Sequence, residues 1–433
     1  SIPVRVNTFP TRPLLLTPVP DRGMLAPMKI WLKYLIAIGL GAGLSLVTPI
    51  PQGALSYLSR LFVDIARYAF VPLAFFSAAL AAEEAREDKR LLRLVGRSLA
   101  YSALAVFALT GLGVAGAFVL SPARIPLNAD SGIVAMELAG PAALAARVFP
   151  PSMLSALLDH DYLLPMTVAA LVLGTALGFD KSVTKPLATV VDSASRTLWQ
   201  VNGFVVELFP LAVIALSAAQ VRGLSGIGQL AMYGNLFLSL GIQLVVAVFG
   251  LLPLLLFLHD RRTNPYRTLY ALAGPALLGL VSGHALAPAG SAAKHLKDSL
   301  GLRRRAGAIS LPVALSFGRA GSAMVGATAF IVVLSSYSSL GISSGTVLWM
   351  LAYVPLSALM LSAAPAQGPL AALVFLSGAY GRGFESGYLL MVPVALPLMA
   401  LAGLVDALFS TAAAYAAGQA EGYAQPKPAR HYI

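Results

Sequence analysis

Helix-length stretches without a single charge are the strongest constraint on what this chain can become. Ala103–Leu120, Leu240–Leu258 and Thr346–Ala364 contain no Asp, Glu, Lys or Arg. A helix needs roughly 20 mainly apolar residues to cross the hydrocarbon core of a bilayer. A membrane β-barrel would instead alternate apolar and polar residues over segments of about 10 residues. The runs are continuous, so they read as helices. With 58% of the residues hydrophobic and 11% charged, a water-soluble fold of this length could not bury so much apolar surface. The chain is therefore expected to be an all-α polytopic membrane protein.

Spans are expected at about 31–47, 61–82, 101–120, 162–179, 201–221 and 230–258, with a last one at about 389–417. Two further apolar stretches, about 269–286 and 306–334, are interrupted by Pro, Gly and Ser. A third, about 352–378, carries Ser362, Pro365, Gln367, Gly368 and Pro369 at its centre. Each side of that centre is too short for an ordinary span. Residues 1–27 are rich in proline and lack the apolar run of a signal peptide. They read as a disordered extension, or as a translated leader before a start at Met24 or Met28.

The net charge of +12 reads as topology rather than as nucleic-acid binding, because the Lys and Arg lie in short segments. Those segments are 83–97, 180–185, 259–267, 294–305 and the tail with Lys427 and Arg430. The 49–53 and 335–345 connections have almost no positive charge. Positive charge marks the cytoplasmic side. With both termini inside, the alternation closes only if about 265–300 enters and leaves from the cytoplasmic face and about 346–380 does so from the other face. Two re-entrant hairpins follow, and broken segments of this kind are a pointer to a transporter's binding site. The chain has no Cys, which excludes disulfides and thiolate metal sites. No metal-ligand spacing and no hydrolytic triad is visible. Gly39, Gly41 and Gly43 lie inside a span, so close helix packing explains them better than nucleotide binding.

The order of several short motifs resembles the dicarboxylate/amino acid:cation symporter family, the glutamate-transporter fold, over about 28–422. These are Val71–Phe76 with Pro72, Asp161–Pro165, Gln200–Gly203 followed by Phe209 and Pro210, Ser310–Val313, and Asp406–Leu408. The resemblance implies eight transmembrane helices plus two re-entrant helical hairpins in inverted repeats, assembled as a homotrimer in a bacterial-type cytoplasmic membrane. It implies scaffold helices in 28–100 and 122–222 and a transport domain made of 101–121 and 223–422, with a short tail, 423–433. That domain would slide as an elevator and carry a small organic solute, a carboxylate or an amino acid, coupled to sodium.

The residues that carry the family's chemistry are largely replaced. The Asn-Met-Asp-Gly-Thr stretch of the family's seventh helix matches Gly318–Ser322 here, with Gly318 at the Asn, Arg319 at the Met and Ala320 at the Asp. The Thr-Ser pair of the third helix matches Ala105 and Val106, and the serine-rich first hairpin tip matches Ala285–Pro288, preceded by His284. Four polar positions of the eighth helix, after Asp406, match Ser410, Ala413, Ala417 and Glu421. Sodium is a hard cation that needs oxygen ligands, so these changes weaken the implied sodium coupling.

Arg319 is expected at membrane depth where the helix unwinds. It either binds an anionic substrate group, replaces a bound cation, or pairs with an acid or with hairpin carbonyls as a strut. Asp406 is either a proton or cation site, a partner for Arg319, or a packed structural acid. His284 either titrates near neutrality or is held by hydrogen bonds. Ser362, Pro365, Gln367 and Gly368 either touch substrate or simply turn the chain. Ser316, Ser322, Ser410 and Thr411 are pocket hydroxyls, or bond back to their own helices. The expected partners are thus a small-molecule substrate, lipid and copies of the same chain, with no nucleic acid and no cofactor other than a sodium ion. The competing reading is a membrane protein that keeps this fold as a binding or structural component without transporting. An intramembrane enzyme has no paired catalytic groups to support it.

Overall fold

A computed structural model of the chain describes residues 28–433 apart from Pro49, 127–145, Arg147, 159–162, 227–229, 338–341, 364–367 and Pro426. The Pro-rich extension and the positions Pro365 and Gln367 therefore lie outside the described residues. Those residues fold into helices. They are α1 (Ile30–Val47), α2 (Gln52–Glu87), α3 (Leu91–Leu120), the short α4 (Met153–Leu158), α5 (Leu163–Leu177), α6 (Lys181–Ser225) and α7 (Leu230–His259). After them come α8 (Pro265–Ala271), α9 (Ala273–Ser282), α10 (Ala289–Asp298), α11 (Arg304–Phe317), α12 (Ala320–Tyr337), α13 (Ser344–Met360), α14 (Gly368–Tyr380) and α15 (Ala395–Ala420).

Seven helical stretches among the described residues are long and apolar enough to cross a membrane. Helices suit such runs because in lipid every backbone N–H and C=O must find its partner within the segment. Large apolar side chains such as Leu46, Val47 and Val119 point outward, as a lipid-facing surface requires. α5, expected as a span over about 162–179, is apolar but shorter than the others.

Segments expected as loops turn out to be helix ends. α2 runs to Glu87 and α3 starts at Leu91, so the charged 83–97 stretch is mostly helical, with its turn at 88–90. The 180–185 stretch opens α6, because the Asp180 carboxylate accepts hydrogen bonds from the Ser182 and Val183 amides at the helix start. A short acidic side chain before a helix is a strong start signal, and basic residues beside it had masked it.

The basic segments gather at one end of the bundle. Lys181 pairs with Glu87, Arg305 with Glu84, and Gln419 donates to Asp260 at 2.6 Å. Lys427 donates to the carbonyls of Lys297 and Asp298. At the other end Ile125 donates its amide to Ser336, and Tyr233 donates its hydroxyl to the Leu390 carbonyl.

Two helix pairs double back. α8–α9 and α10 begin and end beside the C-terminal segment: the Tyr270 ring lies 6.1 Å from that of Tyr432, and the Ile433 amide donates to Ser299. α13 and α14 close their feet at the other end through aromatic contacts. Trp349 stacks on Tyr353 at 4.4 Å and meets Tyr380 edge-on at 5.1 Å, while Phe330 of α12 packs against both Trp349 and Tyr380. The stretch between the pairs, α11 and α12, is the centre of the molecule: 94% of its most apolar window is buried, against 28% for α1.

Candidate functional site

The central helix breaks at Gly318 and Arg319. α11 ends at Phe317 and α12 begins at Ala320. The break leaves the first amides of α12 without helical partners. Asp406, on α15 and 2% exposed, supplies those partners: its Oδ1 accepts from the Gly321 and Ser322 amides at 2.7 and 3.1 Å, and its Oδ2 accepts from the Ser322 hydroxyl at 2.6 Å. On the other side of the break the Ser410 hydroxyl donates to the Gly318 carbonyl at 2.9 Å. One face of α15 thus stitches both halves of the broken helix in place.

Two glycines at the ends of these doubled-back helices pack on α12 and α15. Gly368, which opens α14, has φ +48°, and a Cβ on it would lie 3.3 Å from the Ser322 hydroxyl. Gly283 ends α9 with φ +61° and sits against Met399 and Ala400 of α15. Left-handed backbone is open to glycine at little cost, so the chain can reverse here without strain. The N-termini of α12 and α14, which carry partial positive charge, therefore adjoin one another at the break.

Arg319 adds a full positive charge. Its side chain is buried, 7% exposed, and its Nε has no hydrogen-bond partner. Among the described residues no hydrogen bond or ion pair to the guanidinium is formed. Asp406 is near enough to feel the charge, but both its oxygens are used by α12. A buried donor left unpaired costs about 1–3 kcal/mol, more when charged. Of the strut reading, the acid partner at ion-pair distance is not found among the described residues, and the carbonyls of the second tip, 364–367, lie outside them.

The other expected positions divide. Ser322 and Ser410 face the break. Ser316 and Thr411 bond back to the Pro312 and Ala407 carbonyls of their own helices. His284, at the tip of the first hairpin, accepts a hydrogen bond from Arg67 Nη2 at 2.8 Å, which matches its hydrogen-bonded reading. Ser362 lies in the turn Leu361–Ala363 that follows α13.

Arg67 itself escaped the sequence reading. It is buried on α2, 3.6 Å from Asp64, and lies inside an apolar run, so the rule that singles out Arg319 applied to it as well. Glu421, the second buried acid among the described residues, faces Arg97 of α3 with Nη1 to Oε1 at 3.1 Å, a charge contact rather than an aligned hydrogen bond. Both buried carboxylates of the core are therefore already occupied by groups of this chain, while its central guanidinium is not. No group of three or more His, Asp or Glu suited to a metal ion occurs among the described residues.

Comparison with known proteins gives one family and a set of distant relatives. The profile of the sodium:dicarboxylate symporter family matches residues 30–417. The chain is similar to C4-dicarboxylate transport protein 2 of Ralstonia nicotianae, 25% identical over 299 residues, 66% of each chain. It is 24% identical over 236 residues to the C4-dicarboxylate transport protein of Deinococcus deserti, covering 52% of this chain and 53% of the relative. It is 23% identical over 376 residues to the serine/threonine transporter SstT of Enterococcus faecalis, covering 86% of this chain and 82% of the relative. The match spans about half to two thirds of the length of the two dicarboxylate relatives.

Proposed function

The chain belongs to the sodium:dicarboxylate symporter family, and on that premise we propose that it is a secondary transporter of a small organic anion, a carboxylate or the carboxylate end of an amino acid, bound by Arg319 at the break between α11 and α12. The observation that carries this reading is the buried guanidinium with no partner among the described residues. A planar guanidinium presents paired donors that match a carboxylate in a forked geometry. The helix N-termini beside it add to the same field. Ser322, Ser410 and Gly368 border the same space. The relatives bearing dicarboxylate and serine/threonine names fall within this substrate class. Ser362, Pro365 and Gln367 complete the second hairpin's tip in this reading, as gate contacts.

The same field argues against sodium coupling. A cation entering the break would meet Arg319 and two helix N-termini, and would find the carboxylate there, Asp406, engaged by α12. In this reading Asp406 organises the site rather than binding an ion or a proton, and His284 holds the first hairpin against Arg67 of the scaffold.

The wider architecture follows the family. The two doubled-back pairs are re-entrant hairpins, α3 and α7–α15 form a domain that moves as an elevator against α1, α2, α5 and α6, and three copies assemble. In this reading the end that gathers the basic segments faces the cytoplasm, with both termini on that side. The test is uptake of C4-dicarboxylates, serine and threonine into proteoliposomes by the wild type and by Arg319→Ala. Transport by the wild type and its loss in the variant is the expected result; equal uptake by both would remove Arg319 from the site.

A further inference from the structure

Beside the basic end of the bundle lies a cavity of about 380 Å³ that has no part in the site around Arg319. Five cations line it: Arg196 of α6, Lys297 of α10, and Arg303, Arg304 and Arg305 at the start of α11. Its two acids are Glu84 and Asp88, on α2 and just past its end. Glu84 is taken by Arg305, and Arg196 is paired with Asp192 at 2.9 Å outside the lining. Lys297, Arg303 and Arg304 have no carboxylate at ion-pair distance among the described residues. They rest on aromatic rings instead: Lys297 and Arg304 lie 4.7 and 5.9 Å from the centre of Trp199, and Arg303 lies 6.0 Å from that of Tyr423.

Topology alone needs positive charge on this end of the chain, but it does not need the charges to converge from three helices on one hollow. A narrow apolar slot continues from the cavity between Phe70, Leu73 and Leu311, and shares Lys297, Arg303 and Arg304 with it. Three cations with no carboxylate at ion-pair distance among the described residues, at a chamber that opens onto an apolar slot, match a phosphate bearing a hydrocarbon chain. Clustered Lys and Arg beside membrane spans recognise such headgroups through charge.

We propose that this cavity is a binding site for a phosphate group, held by Lys297, Arg303 and Arg304, and that its occupant is the headgroup of an anionic phospholipid. The site lies between α2 and α6 on one side and the segment joining α10 and α11 on the other, so its occupant bridges those elements in this conformation. It does not depend on what Arg319 binds.

The experiment uses the full chain in nanodiscs of phosphatidylcholine alone or of phosphatidylcholine mixed with phosphatidylglycerol. Retained lipid is read by native mass spectrometry and stability by thermal unfolding. The expected result is that phosphatidylglycerol, and not phosphatidylcholine, is retained and raises the unfolding temperature. Combining Lys297→Gln, Arg303→Gln and Arg304→Gln is expected to weaken retention by roughly 100-fold, at about tenfold or less for each cation. Arg93→Gln, at an exposed basic position outside the cavity, is expected to leave it unchanged. The single Arg303→Gln variant gives the same reading at smaller amplitude should the triple variant fail to fold. Inorganic phosphate that displaces the lipid and stabilises the protein itself supports the phosphate site and points to a soluble phosphate ester as its occupant. Equal retention of both lipids by the wild type, or an equal loss in Arg93→Gln, overturns the proposal.

Discussion

At the scale of single residues the decisive contrast is between Arg319 and Asp406. A strut and a waiting ligand group respond oppositely to removal. If Arg319 braced the fold, Arg319→Ala would lower stability. A buried guanidinium without a partner among the described residues predicts instead that the ligand-free variant unfolds at the same temperature as the wild type or a higher one, by thermal melting. The same variant is expected to raise KM for an anionic substrate by roughly 10- to 100-fold, since a hydrogen bond to a charged group contributes about 1.5–3 kcal/mol. Asp406 should behave the other way. Asp406→Ala leaves two amides and a hydroxyl of α12 buried and unsatisfied, and is expected to cost at least about 1–3 kcal/mol. Asp406→Asn, which keeps an acceptor, should recover part of that loss in the same melt. Both residues were legible in the sequence as ionisable groups inside apolar runs. Their roles were not, because the hydrogen bonds depend on how closely α15 approaches α12, and nothing local to either residue encodes that distance. Arg67 is equally visible as a charge inside a helix-length segment, and only its contact with His284 marks it out.

At the scale of elements, the first doubled-back pair rests on close backbone approach. A Cβ on Gly279 of α9 would lie 2.4 Å from the Gly403 carbonyl of α15, nearer than any side chain can sit. Gly279→Ala is therefore expected to destabilise by about 1–3 kcal/mol through forced separation. Gly111→Ala, with nothing within 4 Å of the added carbon, should be neutral or slightly stabilising; paired thermal melts separate the two. The connection between α7 and α8 gives a pH signature. The backbone amide of Arg262, helped by Thr263 and Gln419, holds the Asp260 carboxyl below its ordinary value. A carboxylate with a depressed folded pKa contributes stability above its unfolded value of about 3.9, and that contribution is lost as pH falls through the folded value. Asp260→Asn should therefore melt below the wild type at neutral pH and converge with it in strong acid. Element existence was readable from hydropathy, and the doubling-back of α8–α10 and α13–α14 from loop charge. Element ends were read poorly, because helices here run past the apolar stretch into charged segments such as 83–87 and 181–185, where pairing with other chain segments replaces apolar burial.

At the scale of the whole molecule, the proposed function keeps the family's architecture and gives up its ion dependence. The end that gathers positive charge, the two doubled-back pairs and the buried broken helix between them form the frame of a transporter in this family. The centre of that frame carries a fixed guanidinium and one carboxylate, Asp406, already engaged by the chain. In the function proposed above, a tethered cation of this kind does the electrostatic work of a bound sodium ion, so that the anion binds without one. The most direct measurement is dicarboxylate uptake into proteoliposomes with external sodium replaced by choline, for the wild type and Arg319→Ala together. Uptake by the wild type that is unchanged by the replacement and lost in the variant is the expected result. Wild-type uptake that stops when sodium is removed would contradict the central claim that Arg319 stands in for the coupling cation.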